Sequence, residues 1–153
     1  METIVLDTNL LILLVIGQAS RRYIDKHKCL KAFTRGDYDL LNSILSQASS
    51  IRFIPNTLTE TSNLLKRIDE LARSDIFRKF ADMINLFDES YIESRFGAQT
   101  EFARLGPTDS ILLLLSDNPS LVLVTADLGL YLAAPGRGLN VVNFNHQRQA
   151  NSS

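Results

Sequence analysis

Four acidic residues stand directly after apolar runs that predict buried strands, or at the starts of predicted helices. Asp7 follows the first such run, and Asp127 follows the run at 121–124. Glu60 opens the helix after a second predicted strand, and Asp109 opens a helix that leads back to the 121–124 strand. In an open parallel sheet the functional crevice lies outside the carboxyl ends of the strands. All four carboxylates are therefore predicted to meet at that edge.

Four converging carboxylates repel one another, and without cations some of them would hold protons at neutral pH. A hard divalent ion removes that repulsion, and a ligand set of oxygens without His or Cys favours Mg²⁺ or Mn²⁺ over zinc. The two histidines, His27 and His146, show no metal-ligand spacing. Such a site suits phosphoryl chemistry, in which a metal polarises a phosphodiester and lowers the pKa of an attacking water.

Each acid also has a purely structural explanation. Thr57-x-x-Glu60 matches a helix capping box, in which Glu60 bonds back to a backbone N–H. The helix dipole favours Asp109 in a first turn, and Asp7 and Asp127 can each cap the helix that follows. Capping needs only Ser, Thr, Asn or Asp, however, and three of the four acids have another such residue beside them. Capping alone therefore does not explain an acid at every position.

The elements that must position these acids follow from hydrophobic periodicity and from turn residues. Short apolar runs predict strands at 4–6, 51–54, 121–124 and 141–144. Apolar residues three or four apart predict helices at 10–18, 21–35, 38–48, 57–73, 76–87, 91–102, 109–116 and about 128–134. Gly36 is expected to end the 21–35 helix, Asp37 to cap the next one, and residues 135–138 to form a turn.

Continuous apolar strands that alternate with helices predict an α/β protein, with a three-layer α/β/α architecture and a central, mainly parallel sheet. A chain of 153 residues is the length of one domain. We expect that domain to span residues 1–144, and the polar residues 145–153 to form a frayed tail.

The composition, with 45% hydrophobic and 22% charged residues, is that of a globular protein and excludes a disordered or fibrous chain. No apolar run approaches the roughly 18 residues that cross a bilayer. Glu2 and Asp7 precede the seven-residue apolar run at 10–16 without any Lys or Arg, which argues against a signal peptide. The single cysteine, Cys29, forms no intrachain disulfide, so we expect it to be structural and the protein to be cytoplasmic.

The segment 21–35 carries six basic residues against one acid, a local charge of +5. One interpretation is a solvated helix face, or a surface that meets an acidic partner. The other is an RNA backbone track beside the acids, with Arg21, Arg22 and Lys26 as binding residues and Tyr23 as a stacking platform. The whole chain has a net charge of −1, but without the four acids 16 basic residues face 13 acidic ones. An acidic pocket within a mildly basic surface is therefore expected.

Four runs of the sequence, taken in order, resemble the four motifs of the PIN-domain ribonucleases. The runs are Ile4-Val5-Leu6-Asp7-Thr8-Asn9-Leu10-Leu11, Ile54-Pro55-x-x-Leu58-Thr59-Glu60, a looser Leu105-Gly106-x-Thr108-Asp109-x-Ile111-Leu112, and Leu123-Val124-Thr125-Ala126-Asp127. The first run is a common pattern, but the ordered set is specific, and it spans nearly the whole chain.

The resemblance implies a PIN-like fold and a metal-dependent endoribonuclease, a hydrolase that leaves a 5′-phosphate because water attacks. It implies that Asp7, Asp109 and Asp127 are metal ligands for Mg²⁺ or Mn²⁺, and that Glu60 is a ligand or orients the water. It also implies that Asn9 and Thr125 would hold these ligands or the water in place. Many relatives are toxins that dimerise and are held by an antitoxin protein, so both partners are expected here besides RNA.

The sequence departs from compact toxin-type PIN proteins at two places. Fifty-two residues separate Asp7 from Glu60, and this long interval contains the basic segment. Apolar residues, Leu128-Gly129-Leu130, follow Asp127 where a further acid often stands. The alternative to a nuclease is a catalytically inactive PIN-like module that binds RNA or a protein partner.

Two other classes of enzyme are excluded by specific residues. An aspartyl-nucleophile phosphatase needs a second Asp two residues after Asp7, where Asn9 stands. A dinucleotide-binding protein needs a G-x-G-x-x-G run after a strand, and none is present.

Overall fold

A computed structural model describes residues 2–27, 30–99, 102–134 and 140–152 of the chain. It begins with strand β1 (Thr3–Leu6), which leads directly into helix α1 (Thr8–Ala19). Eight consecutive residues of α1, from Leu10 to Gly17, are buried. A helix that is apolar all round must be covered on every side. Helix α1 is therefore the central helix of the fold, and Asp7 lies at the joint between this helix and β1.

The other elements follow in an alternating order. They are a 3₁₀ helix (Arg21–Asp25), α2 (Arg35–Ser46), β2 (Ser50–Phe53), α3 (Pro55–Leu65), α4 (Glu70–Leu86), β3 (Asp88–Glu89), α5 (Ser94–Gly97), α6 (Phe102–Leu115), β4 (Leu121–Thr125), α7 (Leu128–Ala133), β5 (Val141–Asn143) and α8 (Phe144–Ser152). None of these helices, within the residues the structure describes, has both the length and the apolar character to cross a bilayer.

The five strands form one sheet in the order β3-β2-β1-β4-β5, and every neighbouring pair is parallel. From β1 the chain moves outward to β2 and β3, and it then returns to the other side of β1 with β4 and β5. The direction of winding therefore reverses between β1 and β4. Ligands of open α/β sheets bind at the carboxyl ends of the strands at such a switch point.

The two faces of the sheet belong to two separate apolar clusters. Ile4, Leu6, Val122 and Val124 point into the cluster that contains α1, and Val5, Leu121 and Leu123 point into the cluster that contains the second half of α6. Because side chains alternate along a strand, a sheet buried on both faces needs helices on both. The predicted three-layer α/β/α architecture with a parallel sheet is confirmed.

The predicted helix at 21–35 is wrong. Its first part is the short 3₁₀ helix, and the next helix already begins at Arg35. Thr34 caps that helix, and Asp37 completes a capping box by accepting a hydrogen bond from the Thr34 N–H at 2.9 Å. Asp37 is thus the third residue of α2 and not its cap, and Gly36 lies inside the helix. Cys29 and the basic Lys28 lie outside the described residues.

Three further boundaries differ from the predictions. The break between the helices predicted at 57–73 and 76–87 lies earlier, at 66–69, and Ile68, which continued the predicted apolar stripe, is buried within that break. A helix predicted at 91–102 is instead the short α5, and the two-residue strand β3 precedes it. Helix α6 contains a break at Gly106, whose φ of 77° suits glycine, and its second part begins at Pro107, two residues before the predicted start at Asp109. The predicted turn at 135–138 lies outside the described residues.

The prediction of a frayed tail over 145–153 is wrong for the residues the structure describes, because 144–152 form α8. Phe144 is completely buried and its ring meets that of Phe33 edge-on at 6.3 Å. Arg148 forms an ion pair with Asp37 of α2 at 3.0 Å. The sequence did not predict this helix because it is mostly polar and lacks an apolar stripe. Contacts with the distant helix α2 stabilise it instead.

Candidate active site

The four predicted acids come from four different elements at the carboxyl edge of the sheet. Asp7 follows β1, Asp127 follows β4, Glu60 lies in the second turn of α3, and Asp109 lies in the first turn of the second part of α6. Their burial is graded: Asp7 is buried, Asp109 is half-buried, and Glu60 and Asp127 are exposed. The four acids thus lie at the switch point between β1 and β4, and they range from the buried Asp7 to the exposed Glu60 and Asp127.

Of the four acids, Asp7 accepts the most hydrogen bonds from the protein. Its Oδ1 accepts the Leu10 N–H at 3.0 Å and so caps α1, as the structural explanation predicted. Its Oδ2 accepts the Thr125 hydroxyl at 2.5 Å and the Ala126 N–H at 2.9 Å. Burial raises the pKa of Asp7, these hydrogen bonds oppose that shift, and the charge of Asp127 adds to it. Capping and site formation are therefore two roles of one carboxylate.

Thr125 lies where the motif resemblance placed a residue that holds a ligand. Its hydroxyl donates to Asp7 and accepts the Asp127 N–H at 2.9 Å, so it links the acids at the ends of β1 and β4. Thr125 is completely buried, because it ends the central strand β4. Asp127 in turn caps α7 by accepting the Leu130 N–H at 3.1 Å.

Glu60 does not form the capping box that its spacing from Thr57 suggested. Helix α3 begins at Pro55, and the Thr57 hydroxyl donates to the Ile54 carbonyl at 3.2 Å. Glu60 therefore lies one turn further along, and its two oxygens accept the hydroxyls of Thr8 at 2.6 Å and Thr108 at 2.7 Å. These two bonds tie α3 to the residue after Asp7 and to the residue before Asp109.

The pKa of Asp109 is sensitive to the other three acids. Its pKa is raised to about 6, first by burial and then by the negative charges of Asp127, Asp7 and Glu60, in that order. All three other acids are thus within electrostatic reach of Asp109. None of the ion pairs among the described side chains involves any of the four. The pocket therefore keeps an uncompensated negative potential.

Two predicted helpers behave differently from Thr125. Asn9 is exposed at the start of α1, and its side chain makes no hydrogen bond to any described residue. The basic segment begins beyond the other end of α1, whose 12 residues span about 18 Å. Arg21 therefore lies at the opposite end of α1 from Asp7, where it forms an ion pair with Asp39, and Arg22 and Lys26 lie in and just after the 3₁₀ helix.

The donor set fits a hard divalent cation in its chemistry. All four side chains offer carboxylate oxygens, and the raised pKa of Asp109 shows that their charges repel, which a cation would relieve. Within the described residues, however, no three Asp, Glu, His or Cys side chains are yet close enough together to hold one ion. Both oxygens of Asp7 and of Glu60 already accept hydrogen bonds from the protein.

Sequence reasoning missed the two threonines that hold Glu60. Each adjoins a predicted site acid, Thr8 beside Asp7 and Thr108 beside Asp109, and that position is the one signal in the sequence that singles them out. It also missed Asn145, which donates to the Ala126 carbonyl at 2.9 Å from the segment predicted to be frayed.

Comparison of the chain with protein-family models, with curated proteins and with solved structures found no match. The likeness to PIN-domain ribonucleases therefore rests on the four motifs alone. Any function of the site must therefore be inferred from the four acids and their hydrogen-bond partners.

Proposed function

We propose that this protein is a Mg²⁺- or Mn²⁺-dependent endoribonuclease that hydrolyses RNA phosphodiesters. The observation that carries the proposal is the placement of four carboxylates, from four separate elements, at the switch point of a parallel sheet. A purely structural cap needs one carboxylate for one helix, whereas here the charges of three other acids contribute to the raised pKa of Asp109. The motif resemblance adds the substrate class, because it is to ribonucleases.

Asp7, Asp109 and Asp127 are the residues that would hold the cation, with Glu60 as a further ligand or as the group that orients the attacking water. A bound Mg²⁺ or Mn²⁺ supplies Lewis-acid polarisation of the phosphodiester and lowers the pKa of water. Its positive charge also lowers the pKa of Asp109 and keeps that carboxylate ionised at neutral pH.

The chain itself supplies positioning. Thr125 and the Ala126 N–H hold the Asp7 carboxylate at the floor of the pocket. Thr8 and Thr108 hold Glu60 from two sides, which limits its rotation and suits a group that must present one oxygen to a water. Attack by water on the phosphorus, with loss of the ribose 3′-oxygen, leaves a 5′-phosphate and a 3′-hydroxyl.

The rest of the proposal concerns context. A cytoplasmic location follows from the single cysteine, Cys29, and the presence of an antitoxin partner and of a homodimer follows from the motif resemblance. We propose that Arg21 does not contact the RNA, because it lies at the far end of α1 from the acids and is paired with Asp39. Arg22 and Lys26 stay predicted RNA-binding residues.

A second function, an inactive PIN-like module that binds RNA or a protein, is favoured by one observation. In the described residues no three acidic side chains are spaced as ligands of one ion, and Asp7 has both oxygens engaged. The four acids count against this alternative, because an inactive binding module does not need a pocket with uncompensated negative charge.

The decisive experiment compares wild type, Asp7→Asn and a control, Asp39→Asn, on 5′-labelled RNA with Mn²⁺ or with EDTA. Asp39 is an exposed acid whose charge is matched by Arg21, so its removal leaves the pocket intact. We expect Mn²⁺-dependent cleavage by wild type and Asp39→Asn, and a loss of more than about a hundredfold in Asp7→Asn. Equal cleavage in EDTA, or by Asp7→Asn, would overturn the nuclease proposal. Tight RNA binding without any cleavage would favour the inactive module.

A further inference from the structure

The loop from Thr125 to Asp127 holds Asp7, and it is itself held from the far end of the chain. Ala126 donates its N–H to the Asp7 Oδ2 at 2.9 Å, and its carbonyl accepts a hydrogen bond from the Asn145 Nδ2, also at 2.9 Å. Both backbone polar groups of Ala126 are therefore used, one toward the pocket and one toward α8. A shift of this residue would move the donor that Asp7 needs.

Asn145 is fixed in one orientation by its own partners. Its backbone N–H donates to the Asn143 Oδ1 at 2.9 Å, which joins the start of α8 to the end of β5. Its side-chain Oδ1 accepts a hydrogen bond from the Arg148 Nη1 at 3.1 Å. Because a guanidinium only donates, the amide oxygen must face Arg148 and the amide nitrogen must face Ala126.

Arg148 is anchored more firmly than an exposed arginine. Its Nε and Nη2 reach the two oxygens of Asp37 at 3.0 Å each, and Nη2 also donates to the Ala32 carbonyl at 2.8 Å. The guanidinium lies over the Phe33 ring, 5.2 Å from its centre. Only 29% of the Arg148 side chain and 13% of the Asp37 side chain is exposed. A paired fork of this kind gives geometric specificity as well as energy.

We infer that Asn145 is a positioning residue for the active site, that it holds the Thr125–Asp127 loop against Asp7, and that Arg148 sets the orientation of its amide. Neither residue touches the reacting atoms. The effect on catalysis rests on the proposed nuclease function, whereas the effect on the loop does not. Partners one step removed from a metal ligand typically change metal affinity or activity 10–100-fold when they are removed.

The test uses Asn145→Asp, which keeps the size of the side chain and the acceptor for Arg148 but removes the donor to Ala126. Gln147→Ala is the matched control, because Gln147 is an exposed residue of the same helix. Arg148→Lys is the second variant, since it keeps the positive charge near Asp37 but cannot make the planar fork. Circular dichroism identifies any variant that does not fold. If one of the two variants fails to fold, the folded one tests the inference.

The first measurement is amide hydrogen exchange in EDTA, which does not depend on any activity. We expect exchange of the Ala126 amide to become about tenfold faster in Asn145→Asp, while the amides of β1 and every amide in Gln147→Ala stay as in wild type. Unchanged exchange at Ala126 in the folded Asn145→Asp and Arg148→Lys variants would overturn the inference, whatever their activity.

The second measurement is Mn²⁺ binding by calorimetry together with RNA cleavage. We expect Asn145→Asp to bind Mn²⁺ about tenfold more weakly and to show a lower kcat at unchanged KM, with Gln147→Ala as wild type. Wild-type Mn²⁺ affinity and kcat in Asn145→Asp would overturn the positioning role in catalysis. If wild type itself neither binds Mn²⁺ nor cleaves RNA, the proposed function fails, and the exchange result alone decides whether Asn145 positions the loop.

Discussion

The two ends of helix α1 hold their carboxylates in opposite ways. At its start, Asp7 and Glu60 accept hydrogen bonds from hydroxyl and backbone N–H groups, which carry no net charge. Beyond its other end, Asp39 accepts two hydrogen bonds from Arg21, at 2.6 and 3.0 Å, and about half of each side chain is exposed.

The two regions differ in how much negative charge their carboxylates can still offer to a ligand. Neutral donors hold a carboxylate in place and leave its charge uncompensated, so the acids at the start of α1 still attract a cation. The arginine beside Asp39 cancels that charge. Because Asp39 lies outside the segment 21–35, this pair also neutralises part of the predicted charge of +5. An acid held by neutral donors in a crevice is therefore a better sign of function than an acid in an exposed ion pair.

Metal binding should affect only the first of these regions, and it is the largest effect we expect. At a Mn²⁺ concentration about one hundred times Kd, linkage adds about 2.7 kcal/mol to the stability of the fold, which raises Tm by about 5–10 °C. Thermal unfolding with Mn²⁺ and then with EDTA measures this. Asp39→Asn should show the same rise and Asp127→Asn should lose most of it. If the wild-type Tm does not change with Mn²⁺, the acids at the start of α1 do not differ from Asp39 in their ability to bind a cation.

The pH dependence of stability in EDTA should reveal the repulsion at Asp109. Its folded pKa of about 6 lies above the ordinary value of 3.8, so the folded state holds this proton more tightly than the unfolded chain. The resulting stability is complete below about pH 4 and is lost as the pH rises through 6. We expect Asp109→Asn to gain about 2 kcal/mol relative to wild type between pH 4 and 7, since partial exposure reduces the full effect.

Urea unfolding at pH 4, 5, 6 and 7 measures that gain. Asp39→Asn is the control, and it should be slightly less stable than wild type at pH 7 because it loses an ion pair. A difference between Asp109→Asn and wild type that stays constant with pH would show that burial and the neighbouring acids do not raise the pKa of Asp109 as described.

Removing one neutral donor should have a smaller effect. Thr108→Val keeps the side-chain shape but leaves one oxygen of the exposed Glu60 without its hydroxyl partner. We expect a loss of about 1 kcal/mol or less in unfolding free energy, and a several-fold lower kcat at unchanged KM. The exposed Thr59 of the same helix as Glu60 offers the control Thr59→Val. If kcat is equal in the two variants, the Thr108 bond does not position Glu60 for catalysis.

The smallest effect is expected at the far end of α1. Arg21→Ala breaks an exposed ion pair, so it should cost less than about 1 kcal/mol in urea unfolding and leave KM for RNA unchanged. A rise in KM comparable to the effect of a phosphate contact, with a weaker salt dependence of RNA binding, would show instead that the basic segment lies on the RNA path.

Local sequence was sufficient where neighbouring residues decide the structure. The apolar runs before Asp7 and Asp127 predicted β1 and β4, and the apolar spacing after Asp109 predicted the second part of α6. A buried parallel strand must be continuously apolar and must be followed by a polar turn, so both signals are contained in a few residues. Local sequence is therefore enough to place these three acids at one edge of the sheet.

Periodicity failed where helix caps or distant contacts decide the structure. The apolar spacing at 21–35 resembled a helix, yet the capping box of Thr34 and Asp37 starts a new helix at Arg35. The polar residues after Asn143 predicted a frayed tail, yet the ion pair of Arg148 with Asp37 helps to hold α8 in place. A partner more than a hundred positions away leaves no trace in local spacing.

By itself, the sequence determined the fold class, the parallel sheet and the set of four acids, because buried strands and helix starts have local signatures. Only the tertiary structure decided which groups hold those acids. The spacing of Thr57 and Glu60 favoured a local cap, whereas the folded chain brings Thr8 and Thr108 to Glu60, and Thr125, Ala126 and, behind them, Asn145 to Asp7. Hydrogen bonds between distant segments depend on how helices and strands pack, and that packing is a property of the whole chain.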